Sequence, residues 1–259
     1  MLLEVIRKKH PLILNHANTV TQQHVADGIS MLGASPLMSQ EQLEIPEMVK
    51  ISQAVVINIG TLQETTLPEL ILMGQIANQA EIPVILDPVA VAMPYRSDFV
   101  KRLMKEVKFD VIRGNAAEIA WFAGMSSQGQ GIDADTRIEV QTSIPKRSAQ
   151  LTEAVIVQTG ATDVITDGKR SWRVKNDNPL LAVNVGSGDL LSGIIGSFAA
   201  VTKDYLQAGL EATMLMGAAG QLASAKVHNQ PGQLMPALMD QLYAITEKQI
   251  EQISEVNEE

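Results

Sequence analysis

The sequence predicts an α/β fold of three layers, with helices on both faces of a mostly parallel central sheet. Short apolar runs recur along the chain, separated by segments with helical periodicity. Continuous apolar runs that alternate with helices are typical of strands buried on both faces of a parallel sheet. The 259 residues, 46% of them hydrophobic, show neither a linker nor an internal repeat. We therefore expect a single domain, 1–259.

The first half of the chain alternates predicted strands and helices. After an apolar run at 11–14, Asn18 or Thr19 is predicted to cap a helix over 20–32. A short strand is predicted at 37–38, and 40–48 is predicted to be a loop that enters a short helix. Next come strands at 54–59, 83–86 and 109–112, each followed by a predicted helix, at 67–80, 97–106 and 116–124 respectively.

The second half begins with a Gly-, Gln- and Ser-rich segment, 126–135, which predicts a loop. The elements predicted after it are an amphipathic helix over 136–151 with an irregularity at Pro145, a strand at 154–158, and a hairpin of 163–166 with 171–174 around Asp167-Gly168. The apolar run 180–183 predicts another strand. The periodicity from Leu190 onward predicts a helix, and 207–253 is predicted to be helical with a break at 229–232. The acidic last residues are expected to fray.

The chain is organised around Gly186-Ser187-Gly188-Asp189, between the apolar run and the helix. Glycines let the backbone approach a ligand, and the first amides of a helix have no partner inside it. The segment Gly186 to Gly188 therefore predicts an anion hole for phosphate. A carboxylate repels phosphate, so we expect Asp189 to accept a proton from an attacking alcohol. The alternative is that Asp189 only caps the helix. No Gly-Lys-Ser/Thr follows, so this is not a Walker loop.

Polar residues follow several predicted strands, and the carboxyl ends of parallel strands form the ligand edge of such a sheet. Asp87 and Glu118 supply carboxylates for Mg²⁺, while Arg113 and Thr159 supply donors for phosphate. Each has a structural alternative. Asp87 precedes a proline in a turn, Glu118 lies in a first helical turn, Arg113 suits a surface ion pair, and Thr159 ends its strand. Together these residues supply what phosphoryl transfer requires.

Composition excludes several classes of function. The net charge of −9 disfavours nucleic-acid binding, and the absence of cysteine excludes disulfides and thiol nucleophiles. No apolar stretch is long enough for a membrane span, and no signal-peptide pattern follows the basic N-terminal residues. We expect a soluble, cytoplasmic protein. No ligand pattern surrounds His16 or His24, so neither is expected to bind metal. Met38 suits either core packing or the wall of an apolar pocket.

In this order, the motifs resemble those of the hydroxyethylthiazole kinases, members of the ribokinase-like superfamily. The resemblance covers nearly the whole chain, and its most specific stretch is Ile-Arg-Gly-Asn-Ala-Ala-Glu-Ile. The stretches that carry it are 33–38, 58–62, 86–89, 112–119, 159–160 and 185–189. The resemblance implies a ribokinase-like three-layer fold and ATP-dependent phosphorylation of 4-methyl-5-(2-hydroxyethyl)thiazole, a salvage step toward thiamine.

The resemblance also implies roles for particular residues. Met38 and Gly186 contact the thiazole alcohol, with Asn18 close to it. Arg113 and Thr159 contact ATP, and Asp87 and Glu118 serve Mg²⁺. Members of that family form homotrimers with active sites at the subunit interfaces, and the resemblance implies the same for this chain.

The sequence departs from the family pattern at three places. Asp189 stands where many members have cysteine, which favours proton transfer because a thiol is largely protonated at neutral pH. Asn18-Thr19 replaces the usual Asn-Asp, and 230–234 differs from the usual Gly-Pro-Gly-Ser-Phe. The alternatives are a hydroxymethylpyrimidine kinase, a non-catalytic binding protein on the same fold, or a dinucleotide oxidoreductase. The oxidoreductase alternative is disfavoured because this sequence has no Gly-x-Gly-x-x-Gly motif after its first predicted strand.

Overall fold

The computed structural model describes residues 1–39, 41–125, 137–176 and 178–259, with side chains from 142 onward in the third range. The predicted loop 126–135 and the first residue of the helix predicted after it lie outside these ranges. In the described residues the strands are β1 Leu12–His16, β2 Ser35–Leu37, β3 Ala54–Asn58, β4 Val84–Asp87, β5 Val111–Asn115, β6 Val155–Thr159, β7 Asp163–Thr166, β8 Ser171–Val174 and β9 Val256–Glu258.

The strands form one sheet in the order β2-β1-β3-β4-β5-β6-β7-β8-β9. The strands from β2 to β6 pair in parallel, and β7, β8 and β9 extend the sheet by antiparallel pairing. This confirms the predicted mostly parallel sheet. The chain reverses direction across the sheet between β1 and β3, and ligands bind at such a switch point in open α/β sheets.

The helices in the described residues are α1 Leu3–Lys9, α2 Gln22–Leu32, α3 Ile45–Ile51, α4 Leu67–Gln79, α5 Pro94–Glu106, α6 Ala116–Phe122, α7 Arg137–Thr152, α8 Pro179–Val183, α9 Ser187–Ala199, α10 Tyr205–Val227, α11 Leu234–Ala244 and α12 Glu247–Ile253. Short 3₁₀ turns span Glu64–Thr66 and Pro231–Gln233. None of these helices is long and apolar enough to cross a membrane.

Alternating side chains of the buried strands build two separate cores. Val56 of β3 points into a cluster with α1, α2 and α9 to α12, whereas Val55 and Ile57 point into a cluster with α3 to α7. Successive side chains of a strand face opposite sides of the sheet, so helices must cover both faces. The predicted three layers are therefore confirmed.

Two predicted elements are wrong. Residues 180–183 lie in helix α8, because Pro179 suits a first helical position and Asn178 accepts a bond from Leu180 N, 3.1 Å away. Val183 is 66% exposed, so the apolar run is not a buried strand. The C-terminal residues do not fray. They form β9 beside β8, and the Glu259 carboxylate pairs with Arg173 at 3.0 Å.

Smaller differences concern where helices begin. The helix α1 was not assigned from the sequence, and α5 begins at Pro94 rather than 97. The helix α2 begins at Gln22 with Thr21 at the N-cap, rather than Asn18 or Thr19. The Thr21 hydroxyl does not cap the helix because it donates to Asp189 instead. Pro145 lies inside α7, as expected.

Candidate active site

The ends of the parallel strands bring the predicted polar residues to one edge of the sheet. Asn58 and Asp87 are register partners at the ends of β3 and β4, and Asn115 and Thr159 are partners at the ends of β5 and β6. The N-terminus of α9 reaches the same edge, because the buried face of this helix packs over the central strands. The sheet thus gathers residues that lie far apart in sequence.

The turn before α9 has the conformation expected of an anion-binding bend. Gly186 occupies the N-cap with a φ of 96°, in the left-handed region that favours glycine. A Cβ on Gly186 would lie 2.6 Å from Cγ2 of Thr21. The Ser187 hydroxyl donates to the carbonyl oxygens of Leu181 and Asn184, at 2.7 and 2.9 Å. Its side chain therefore braces the turn, and its contribution to an anion hole is limited to its backbone amide.

The carboxylate of Asp189 is held by three side-chain donors. Asn58 Nδ2 donates to Oδ1 at 2.9 Å, and Asn18 Nδ2 donates to Oδ2 at 3.3 Å. The Thr21 hydroxyl also donates to Oδ2. Asp189 is half-exposed and does not donate or accept as a helix cap, since Gly186 occupies that position. The structure therefore favours a role for this carboxylate other than capping.

Arg113 lies directly against the turn. A Cβ on Gly188 would be 2.2 Å from its Nη1, so the absence of a side chain there makes room for the guanidinium. Nη2 donates to Thr159 Oγ1 at 2.8 Å, and Nη1 lies 3.4 Å from Asp87 Oδ2. Nε of Arg113 is buried without a hydrogen-bond partner in the described structure. The ion pair of Arg113 is therefore a buried one with Asp87, not a surface pair, and its guanidinium lies against the predicted anion-binding turn.

Asp87 is a buried carboxylate with an unsatisfied atom. Oδ2 accepts from Ser192 Oγ at 2.7 Å and pairs with Arg113, whereas Oδ1 finds no partner among the described residues. Burial raises the pKa of Asp87 to about 6, against the opposing effect of Arg113, and the charges of Asp189 and Glu118 add to the rise. Buried unpaired carboxylate oxygens are costly, which suits a site that receives a cation.

Glu118 forms a capping box with Asn115 at the start of α6. Glu118 Oε2 accepts from Asn115 N at 2.8 Å, and Oε1 accepts from Ala90 N at 2.8 Å, which also ties down the loop after β4. Each oxygen retains one further lone pair. The predicted structural role of Glu118 in the first helical turn is therefore observed, and both of its oxygens can still accept a further contact.

A cavity of about 710 Å³ opens beside the turn. Its lining includes Arg113, Thr159 and Gly186 to Gly188, and it extends past Asn176, Leu191 and Met216. Asp189 is not among the residues that line this cavity, and its side chain is bound by Asn18, Thr21 and Asn58. The turn therefore carries cavity-lining residues, Gly186 to Gly188, directly before the carboxylate of Asp189.

Met38, a predicted substrate contact, and His16, for which no metal role is expected, are not among the residues that line this cavity. Met38 follows β2 and packs, half-buried, against the core cluster that contains α2 and α9. The ring of His16 is buried beside Asn58, with Nδ1 3.3 Å from the Asn58 carbonyl oxygen, and burial lowers the pKa of His16. Among the described residues no group of three or more His, Asp and Glu side chains could hold a metal ion by itself.

Sequence reasoning missed Thr21, Asn58 and Ser192 as site residues. Asn58 belongs to one of the stretches that carry the family resemblance, which is the signal that could have drawn attention to it. Thr21 and Ser192 have no distinguishing pattern, since hydroxyl side chains on helices are common.

Comparisons with known proteins show the family of this chain. The model of the hydroxyethylthiazole kinase family matches residues 3–248. The chain belongs to this family. Hydroxyethylthiazole kinase of Lactococcus lactis subsp. lactis (strain IL1403) is 50% identical over 96% of this chain and 99% of its own. That of Lactiplantibacillus plantarum is 44% identical over 99% of this chain and 98% of its own.

Solved structures share the fold of this member of the hydroxyethylthiazole kinase family. The hydroxyethylthiazole kinase protein from Pyrococcus horikoshii OT3 has a TM-score of 0.91, with 31% identity over 99% of this chain and 97% of its own. A Bacillus subtilis pyridoxal kinase, solved as an ADP complex, has a TM-score of 0.59 with 16% identity, covering 82% of this chain and 92% of its own. The latter shares the fold alone. The predicted family and ribokinase-like fold are confirmed.

Proposed function

We propose that this protein transfers the γ-phosphoryl group of ATP to the hydroxyl of 4-methyl-5-(2-hydroxyethyl)thiazole, in thiamine biosynthesis or salvage. One observation carries the proposal. The turn Gly186 to Asp189 brings together the Arg113 guanidinium, a nucleotide-sized cavity and a carboxylate held by side-chain donors. Transfer of a phosphoryl group from a nucleotide to an alcohol needs an anion site next to a base for the alcohol.

ATP is proposed to occupy the cavity, with its phosphates toward Arg113, Thr159 and the turn. The fork of Arg113 suits phosphate oxygens, and its Nε lacks a partner in the described structure. The amides of Gly186 to Gly188 and the dipole of α9 would stabilise charge on the moving group. The alcohol would lie beyond the turn, near Asn18 and Gly186. Met38 packs in the core cluster that includes α2 and remains a proposed wall of that pocket.

Asp189 is proposed to accept the proton of the alcohol. The O–H bond breaks toward the carboxylate, the alcohol oxygen bonds to the γ-phosphorus, and the bond from that phosphorus to the bridging oxygen of ADP breaks. A carboxylate can serve as this base because, in a loose transition state, the proton is removed late. Asp189 lies within a cluster of donors, so its carboxylate is oriented before the alcohol binds.

Asp87 and Glu118 are proposed to hold Mg²⁺. The buried, unpartnered Oδ1 of Asp87 fits a cation, and Glu118 has lone pairs left after its backbone bonds. Mg²⁺ binds few protein carboxylates and keeps waters and phosphate oxygens as its other ligands, which matches this sparse set. The ion would neutralise charge on the phosphates of ATP.

A homotrimer with active sites at its interfaces is proposed from the resemblance, and a cytoplasmic location is proposed with it. Val183 and Val185, beside the turn, are 66% and 71% exposed, and Val20, next to the Asp189 cluster, is 70% exposed. Apolar side chains grouped at a site edge suit a subunit contact. Sedimentation equilibrium tests this, with a mass three times the 28.0 kDa of the chain expected.

An ADP-release assay tests the activity. Purified protein with ATP and Mg²⁺ is given the thiazole alcohol or, in parallel, a hydroxymethylpyrimidine, and products are identified by mass spectrometry. We expect ADP and thiazole phosphate in equal amounts, with little release for the pyrimidine. Equal or greater turnover of the pyrimidine would favour the related kinase activity, and no release with either alcohol would favour a binding protein.

A further inference from the structure

The donors around Asp189 distinguish its two carboxylate oxygens. Oδ2 accepts from both Asn18 and the Thr21 hydroxyl, whereas Oδ1 accepts from Asn58 alone among the residues that the structure describes. A carboxylate oxygen has two lone pairs in its plane, so two donors saturate Oδ2 and one lone pair of Oδ1 stays open. Only an atom with an open lone pair receives a proton without first losing a hydrogen bond.

We propose that Oδ1 of Asp189 is the atom that receives the alcohol proton, and that Thr21 and Asn58 are positioning residues that hold it there. The proposal rests on the function proposed above and adds an atom and two residues to it. Neither residue lines the nucleotide cavity, and neither is required to touch ATP.

Thr21 is suited to this role because it joins the base to the anion-binding turn. Its side chain is buried, its hydroxyl bonds Asp189, and its methyl group packs where a Cβ of Gly186 would otherwise lie. Its hydroxyl is thereby taken from the usual N-cap bond of α2. A helix that forgoes a cap loses stability, so the hydroxyl is committed to the site rather than to the fold.

Asn58 is held rigidly from the opposite side. It is buried at the end of β3, and its Oδ1 accepts from Gly60 N at 2.7 Å, which leaves Nδ2 aimed at Asp189. Arg96 fixes the same loop, since its guanidinium donates to the carbonyl oxygens of Gly60, at 2.7 Å, and Val89, at 3.0 Å. Bonds on both ends of the amide set which atom faces the carboxylate.

The test is a set of substitutions that remove one donor and keep the shape. Thr21→Val loses the hydroxyl and keeps the methyl contact with Gly186, while Thr21→Ser keeps the hydroxyl. Asn58→Asp keeps an acceptor for Gly60 N and places a second carboxylate against Asp189. We expect kcat to fall about tenfold in Thr21→Val and further in Asn58→Asp, with KM for ATP within about twofold. Thr21→Ser should restore most of the loss.

A double-mutant cycle separates positioning from a general effect on the fold. In an Asp189→Asn background, Thr21→Val should lower kcat by less than about twofold, because residues that act through one group are not additive. Equal losses in both backgrounds, or wild-type kcat in Thr21→Val, would overturn the proposal. Thermal unfolding of each variant detects a folding defect, and Thr21→Ser then serves as the folded comparison. If the wild-type protein releases no ADP, the proposed function itself fails, whatever the variants do.

Discussion

Gly188 and Arg113 are in such close contact that a single methyl group on the glycine would lie 2.2 Å from the Nη1 atom of the arginine. The contact places a guanidinium over the first turn of α9, where the helix dipole already favours anions. The arginine in turn reaches Thr159 and Asp87. Three predicted residues from three strands are thereby linked to the predicted anion turn.

This contact predicts the effect of Gly188→Ala. The new methyl group would displace the guanidinium, so we expect KM for ATP to rise about tenfold or more through loss of a charged hydrogen bond. KM for the alcohol should change little. Gly232→Ala is the control, because a Cβ there meets nothing within 4 Å. Unchanged KM for ATP in Gly188→Ala would show that Arg113 does not bind the nucleotide from this position.

Asp189→Asn tests the proposed base. The amide has the same shape but accepts protons poorly, so kcat should fall by about 10²-fold or more, with KM for ATP nearly unchanged. Asp240→Asn, on the exposed face of α11, is the matched control and should behave as wild type. Steady-state ADP release measures both, and wild-type turnover in Asp189→Asn would rule out the base role.

Asp87→Asn is expected to change how the free energy of unfolding depends on pH. Burial raises the pKa of Asp87 to about 6 in the folded protein, above the ordinary value of about 3.9. The folded state therefore binds the proton more tightly, and the stability this provides is present below about pH 4 and lost as pH rises through about 6.

The amide in Asp87→Asn is neutral at every pH. The free energy of unfolding of the variant, relative to that of wild type, should therefore rise by about 2 kcal/mol from pH 4 to pH 8. Urea denaturation without Mg²⁺ at both pH values measures the difference, with Asp240→Asn as control. A difference that does not depend on pH would contradict the raised pKa. Kinase activity of Asp87→Asn should be largely lost if the carboxylate holds Mg²⁺.

The C-terminal strand supports one wall of the cavity. Asn176, which lines the cavity, accepts from Glu255 N at 3.2 Å and donates to the Ile253 carbonyl oxygen at 3.1 Å. Removal of residues 255–259 should lower Tm by several degrees and raise KM for ATP, because β9 and one of the two hydrogen bonds that hold Asn176 are lost. Glu259→Gln keeps the strand and is expected to affect KM little. An unchanged KM for ATP in the truncated protein would show that the cavity wall at Asn176 keeps its position without residues 255–259.

Local signals located most elements of the fold. The Asp167-Gly168 turn predicts a hairpin, and β7 and β8 have the predicted bounds because Gly168 adopts a φ of 86° that the turn requires. Apolar runs located β3 to β6 for a similar reason, since continuous burial needs continuous apolar sequence. The run at 180–183 failed because a short apolar run does not distinguish a strand from a helix. Pro179 at the start of the run and the Asn178 cap favour the helix over a strand.

Strand β9 could not be predicted from its own residues, since Val256, Asn257 and Glu258 show no strand pattern and pair only with β8, far back in the chain. The same holds for the base cluster. Asp189 was identified from its turn, whereas Thr21 and Asn58 become site residues only when α2 and β3 meet α9.

The layered α/β fold and the turn at Gly186 to Asp189 could be predicted without a structure, because apolar periodicity and glycine spacing are properties of neighbouring residues, and the resemblance of the motifs indicated the family. Only the folded chain shows which donors reach Asp189, why Gly188 must lack a side chain, and that Asp87 is buried with one oxygen that has no partner within the described ranges. These are relations between distant segments, and hydrogen bonds and desolvation depend on distances that only the folded chain sets.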